Sequence, residues 1–117
     1  MRTPLHLYTL FAVFSIALGG CATLQDARER GPVGTYTSAK SARTVSDCIA
    51  SSWEDMGHAG EIWVRPHDNG YSVQLVRLGN VHLLVEIIDI DGGSTSKSYK
   101  GNVIGVGKFL TSIRTCQ

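Results

Sequence analysis

Between Arg2 and Asp26 the chain carries no charged residue, and residues 5–18 form an almost unbroken apolar run. A membrane-spanning helix needs roughly 20 predominantly apolar residues. This run is shorter, contains His6 and Thr9, and closes on Gly19 and Gly20. One cation, a short apolar stretch and then small residues is the layout of an export signal. If residues 1–20 are withdrawn, 117 less 20 leaves 97 residues to fold. That is enough for one small domain with a marginal core.

Leu18-Gly19-Gly20-Cys21 resembles the lipobox of bacterial lipoproteins: a leucine, two small residues and the acceptor cysteine. The resemblance covers the first 21 residues only. It implies a diacylglyceryl group on the Cys21 sulfur, cleavage between Gly20 and Cys21, and acylation of the new amine. Several acyl chains anchor stably where a single one binds marginally. The competing readings are a plain secretory signal followed by a chance cysteine, and a signal anchor. Ala22, rather than Asp, implies by the sorting rule of such lipoproteins an outer-membrane site facing the periplasm. In size and layout the remainder resembles the many short envelope lipoproteins without an assigned activity.

Without Arg2, the balance is 10 basic against 10 acidic residues, with no basic block. A phosphate backbone would find no complementary surface, which excludes nucleic acid as the expected partner. Cys48 and Cys116 are the two cysteines left after Cys21, an even number in an oxidising compartment, so a disulfide is expected. Zinc is the alternative, but neither cysteine has a Cys or His at the spacing of a zinc site. Closing so long a loop contributes on the order of 4 kcal/mol in the chain-entropy model. This is a large share of the stability of a small domain.

Residues 21–43 read as a lipidated N-terminus and flexible tether, broken by Gly31-Pro32-Val33-Gly34, and residues 44–117 as the folded domain. A helix is predicted over residues 44–56, with Val45, Cys48, Ile49, Trp53 and Met56 on one face and Thr44 with Asp47 as its capping box. Strands follow. Residues 61–65 alternate and stop at Pro66; residues 71–78 alternate after a His67-Asp68-Asn69-Gly70 turn; Gly79-Asn80 is the expected hairpin turn. Residues 81–90 are apolar on both faces, as in a strand covered on both sides. Residues 94–99 are polar and β-compatible, an expected edge strand guarded by Lys97. A second helix is predicted over residues 103–114, with Asn102 as its N-cap. The expected fold is α+β: helix, antiparallel meander of three or four strands, helix, with both helices on one sheet face.

No stretch names a chemistry. Asp89-Ile90-Asp91-Gly92 begins like a calcium loop, but Lys100 stands where the bidentate Glu belongs. Gly105-Val106-Gly107-Lys108 lacks the Ser or Thr that would hold magnesium. His58, His67 and His82 have no metal-site spacing. There is no nucleophile elbow, so no catalytic residue, metal or cofactor is expected and the chain reads as a non-enzyme. Trp63 alternates away from Ile62 and Val64, either exposed on the open sheet face or covered by a neighbouring element. With Arg65 it marks the best partner-binding surface.

The expected function is an envelope lipoprotein acting as an accessory or scaffold module, held on the membrane through Cys21 and binding a protein partner at its periplasmic face. The alternative is an inhibitor or immunity lipoprotein against a cell-wall hydrolase such as lysozyme. Gly93-Ser94-Thr95-Ser96-Lys97-Ser98-Tyr99 resembles the Ser/Gly-rich loop ending in Tyr that lysozyme-inhibiting lipoproteins insert into their target. That family is an all-β barrel, whereas two helices are expected here.

Overall fold

A computed structural model describes residues 24–57 and 60–117. Gly20, Cys21 and the rest of the apolar run lie outside the described residues, as does His58. The fold is α+β. Its elements run α1 (Leu24–Glu29), β1 (Gly34–Ser38), α2 (Ala42–Asp55), β2 (Glu61–His67), β3 (Gly70–Arg77), β4 (Asn80–Ile90), β5 (Gly93–Lys100) and α3 (Gly107–Thr115). The strands form one antiparallel sheet in the order β1-β5-β4-β3-β2.

The meander of three or four strands is thus a sheet of five. The extra strand comes from residues 34–38, inside the segment read as a tether, and α1 comes from the same segment. Gly-Thr-Tyr-Thr-Ser has no apolar alternation to betray a strand. It is held by pairing with β5, Tyr36 opposite Ser96 and Ser38 opposite Ser94. β5 is therefore an inner strand, and among the described residues the sheet edges are β1 and β2. Pro66 does not stop β2, which continues through His67. An edge strand tolerates proline because the missing N–H faces outward.

Helix α2 starts two residues earlier than its predicted range, and its cap is Ser41, not Thr44. The Ser41 hydroxyl accepts from the Thr44 N–H at 3.2 Å, while the Asp89 carboxylate accepts from the Ala42 N–H at 2.8 Å. Both satisfy first-turn donors that have no partner within the helix. Ala42, Val45, Ile49 and Trp53 are buried, whereas Met56 lies past the helix and is exposed. Helix α3 starts at Gly107 rather than Val103. Gly105 has φ +82°, outside the helical region, so the apolar spacing runs on through an irregular segment in which Val106 still reaches the core.

One sheet face packs under α2 and α3. Val73, Leu75, Leu83, Val85 and Ile87 meet Val45, Ile49, Trp53, Phe109 and Ile113 there. Trp53 is fully buried; its indole N–H donates to the Ser112 hydroxyl (2.9 Å) and the Phe109 carbonyl (3.2 Å), and its ring meets Phe109 edge-on at 6.2 Å. Burying an indole without a partner for its N–H is costly, so these bonds fix the angle at which α3 docks. The Cys48–Cys116 disulfide joins α2 to the end of α3 with a Cα–Cα distance of 5.7 Å.

The third helix does not share that face. Arg28 of α1 pairs with Glu86 of β4 at 2.7 Å, and Ala27 is buried. Glu86 lies between Val85 and Ile87 and so points to the opposite side of the sheet, where α1 packs over β4 and β5. The ion pair is partly exposed and contributes at most about 1 kcal/mol.

Candidate functional site

On the second sheet face the side chains of β3 are buried, and those of the edge strand β2 are exposed. Strand alternation places Glu61, Trp63 and Arg65 of β2 on that face, beside Val76, Gln74 and Ser72 of β3. Trp63 is 37% exposed. Its indole N–H donates to the Glu61 carboxylate at 2.7 Å, and the Arg65 guanidinium sits 4.7 Å from its ring centroid. The three side chains form a row at i, i+2 and i+4. A cation over an indole face is worth about 0.5–1 kcal/mol at an exposed site, so the row orders the ring without covering it.

Beside this row runs a groove of about 590 Å³ with an apolar lining of Leu24, Trp63, Val76, Leu78 and Val81, edged by Glu61 and Gln74. Leu24 opens α1, three residues beyond Cys21. Leu78 is the unusual member. The β3–β4 connection is Leu78-Gly79, closed by the Arg77–Asn80 pair, one residue earlier than the expected Gly79-Asn80 turn. Both turn residues have positive φ, +51° and +77°. A left-handed backbone suits Gly or Asn and disfavours leucine by roughly 1–2 kcal/mol. Leu78 is also 90% exposed, so packing within the chain does not offset that cost. At the same end of the sheet the segment after β5 carries Ile104, 95% exposed, and Gly101 donates its N–H to the His82 carbonyl at 2.9 Å.

The other sequence candidates fall in different places. Cys48 and Cys116 form the expected disulfide, remote from this face and structural in position. Trp63 and Arg65 are brought into contact. Asp89, read as a failed calcium loop, caps α2. His67 ends β2 and His82 lies on β4. Among the described residues no three His, Cys, Asp or Glu side chains converge as a metal site would require. On the second face, burial first and the nearby Glu86 carboxylate next push the Tyr99 hydroxyl above its ordinary value, which keeps it a neutral phenol. The 93–99 stretch is not a protruding loop. It is the inner strand β5, with Ser94, Ser96 and Ser98 buried on the helix-facing side of the sheet.

Leu24, Val81 and Leu78 were not marked as site residues by their pattern. Leu24 falls in a stretch poor in large apolar residues, and Leu78 reads as the last position of a strand. The available signal was a leucine directly before Gly-Asn at a hairpin, where a residue tolerant of positive φ is expected. Comparisons with protein-family models, with curated proteins and with solved structures find no match. The functional reading therefore rests on the chain's own geometry.

Proposed function

We propose that this chain is a non-enzymatic envelope lipoprotein, anchored through Cys21, that holds a protein partner at the periplasmic face of the membrane by the groove beside Trp63. The observation that carries the reading is the groove itself: an apolar trough walled by a half-exposed tryptophan and a strained, exposed leucine. Aromatic side chains in such settings are enriched among the residues that dominate protein interfaces. Leu24 on its rim follows Cys21 by three residues, which supports a groove close to the anchored end of the domain. Anchoring confines the module to the membrane and raises its effective concentration toward any partner held there.

The test is capture from intact cells. The full chain carries an affinity tag after Gln117, partners are cross-linked in the native host, and Trp63→Ala and Leu78→Asp are run beside the parent. Leu78 is exposed, so its replacement alters the groove rim while sparing the core. The expected result is a discrete envelope protein that both variants lose. Recovery of a muramidase would give the inhibitor reading its support, despite the inner position of β5. Capture that is indifferent to both substitutions would remove the groove from the function.

A further inference from the structure

The groove uses the side chains of β2, but the backbone of β2 is a separate feature. β2 is a sheet edge of seven residues, and only Ile62 among them is even half-buried. Val64 is 41% exposed on one face and Trp63 is 37% exposed on the other. Long edges with apolar side chains on both faces pair with other strands unless they are blocked. The opposite edge, β1, is shorter and made of Gly, Thr, Tyr and Ser.

The direction of the edge groups follows from the hairpin. The β2–β3 turn is Asp68-Asn69, closed by His67 opposite Gly70. The closing pair of a two-residue hairpin is hydrogen-bonded, and alternation then makes Pro66–Tyr71, Val64–Val73 and Ile62–Leu75 the non-bonded pairs. Pro66 agrees, since its position must be one whose nitrogen faces outward. Ile62 and Val64 therefore direct both N–H and C=O to the free edge.

We infer that the β2 edge pairs with the β2 edge of a second copy of this chain, antiparallel about a two-fold axis at Trp63, to make one continuous sheet across a dimer. In that register Ile62 and Val64 face each other and exchange their edge hydrogen bonds in both directions. Trp63 meets its own copy in a non-bonded pair, where cross-strand side chains come closest. Glu61 falls opposite the second copy's Arg65, and Arg65 opposite its Glu61. The sequence Glu-Ile-Trp-Val-Arg is thus self-complementary in charge when reversed. Sliding the centre to Val64 sets Arg65 against Trp63 and brings Pro66, which has no donor, opposite Ile62. Sliding it to Ile62 sets Trp63 against Glu61 and leaves Arg65 without an acidic partner. Centring on Trp63 alone pairs both charges and keeps Pro66 at the margin. The interface is isologous, the common form in symmetric dimers, and it stands whether or not the groove binds a partner.

The test exchanges charges. Full chains with two different tags after Gln117 are co-expressed, solubilised in mild detergent, and captured on one tag while the other is quantified. The parent chain should co-capture itself. Glu61→Arg on both copies, or Arg65→Glu on both, puts like charges at two symmetric positions and should lower co-capture on the order of tenfold. Co-expressing the Glu61→Arg chain with the Arg65→Glu chain restores both pairs and should return the signal to near the parent level. Shared micelles would not respond to this pattern. Thermal melts establish that each variant is folded, as expected for exposed positions. An absence of co-capture in the parent, equal co-capture in the single-variant populations, or no recovery in the mixed one each overturns the dimer.

Discussion

On the helix-facing side of the sheet, β3 and β4 present Val73, Leu75, Leu83, Val85 and Ile87, whereas β5, one strand further on, presents Ser94, Ser96 and Ser98 at equal depth. The aliphatic half is held by burial, which is non-directional and close to proportional to area. The serine half is held by named acceptors. Ser94 donates to the Lys40 carbonyl at 2.8 Å, Ser98 to the Gly34 carbonyl at 3.3 Å and Ser96 to the Gln117 side chain at 3.4 Å. These partners come from the start of the domain and from its last residue. Small side chains on β5 let those segments approach the sheet closely, and the Ser94 and Ser98 hydroxyls then donate to their backbone carbonyls. One sheet therefore carries a core that shape and volume define and a core that hydrogen bonds define.

The contrast can be broken most severely from the aliphatic side. Trp53→Ala removes the largest buried side chain and both of its hydrogen bonds to α3, and should cost about 3–5 kcal/mol in urea denaturation. In so small a domain that approaches global unfolding. Replacing Cys48 and Cys116 together by alanine should cost about 2–5 kcal/mol by the same measurement, since the bridge closes a separation of 68 residues.

A direct comparison of the halves uses two residues that face each other. Ile87 and Ser96 are register partners across β4 and β5, and both are fully buried. Ile87→Ala should cost about 2–5 kcal/mol, and Ser96→Ala about 0.5–1.5 kcal/mol. Equal costs would mean that the two halves are not held differently. Ser96→Val sharpens the point: it adds apolar volume, yet should destabilise by about 1–3 kcal/mol because the space over β5 is filled by chain segments.

Gly93 tests the serine half where β5 meets β1. A Cβ there would run into the Ser38 carbonyl of β1. Gly93→Ala should cost about 1–3 kcal/mol. Hydrogen exchange should show the loss concentrated in β1, with β3 and β4 still protected. The smallest effect lies outside both halves. Leu78→Asn gives the hairpin a residue suited to its positive φ, and should stabilise by about 0.5–1 kcal/mol in thermal melts. If partner capture falls in that variant while stability rises, the leucine is retained for contact at the expense of the turn.

The aliphatic half was legible because its evidence is periodic. Val45, Ile49 and Trp53 repeat at helical spacing, residues 81–90 carry apolar side chains on both faces, and two cysteines remain to pair; together these point to α2, the central strands and the staple. The serine half left no such trace. Gly-Ser-Thr-Ser-Lys-Ser-Tyr reads as a polar edge or a loop, and Gly-Thr-Tyr-Thr-Ser as part of a tether, because hydroxyl side chains suit water as readily as a satisfied interior. The site divides the same way. Trp63 and Arg65 were visible as an aromatic and a cation at strand spacing, but Leu24 and Leu78 join them only through the placement of α1 and a hairpin turn.

The sequence by itself determined what local periodicity and residue chemistry can specify: an α+β class, a helix over residues 44–56 with one apolar face, a central strand apolar on both faces, and a disulfide between Cys48 and Cys116. Tertiary structure alone decided that β1 covers β5, that Asp89 caps a helix 47 residues away in sequence, and that Leu24 and Leu78 share one groove with Trp63. Periodicity is a property of neighbours along the chain. A hydroxyl's partner, a carboxylate's cap and a groove's far wall are set by segments that meet only once the sheet has assembled.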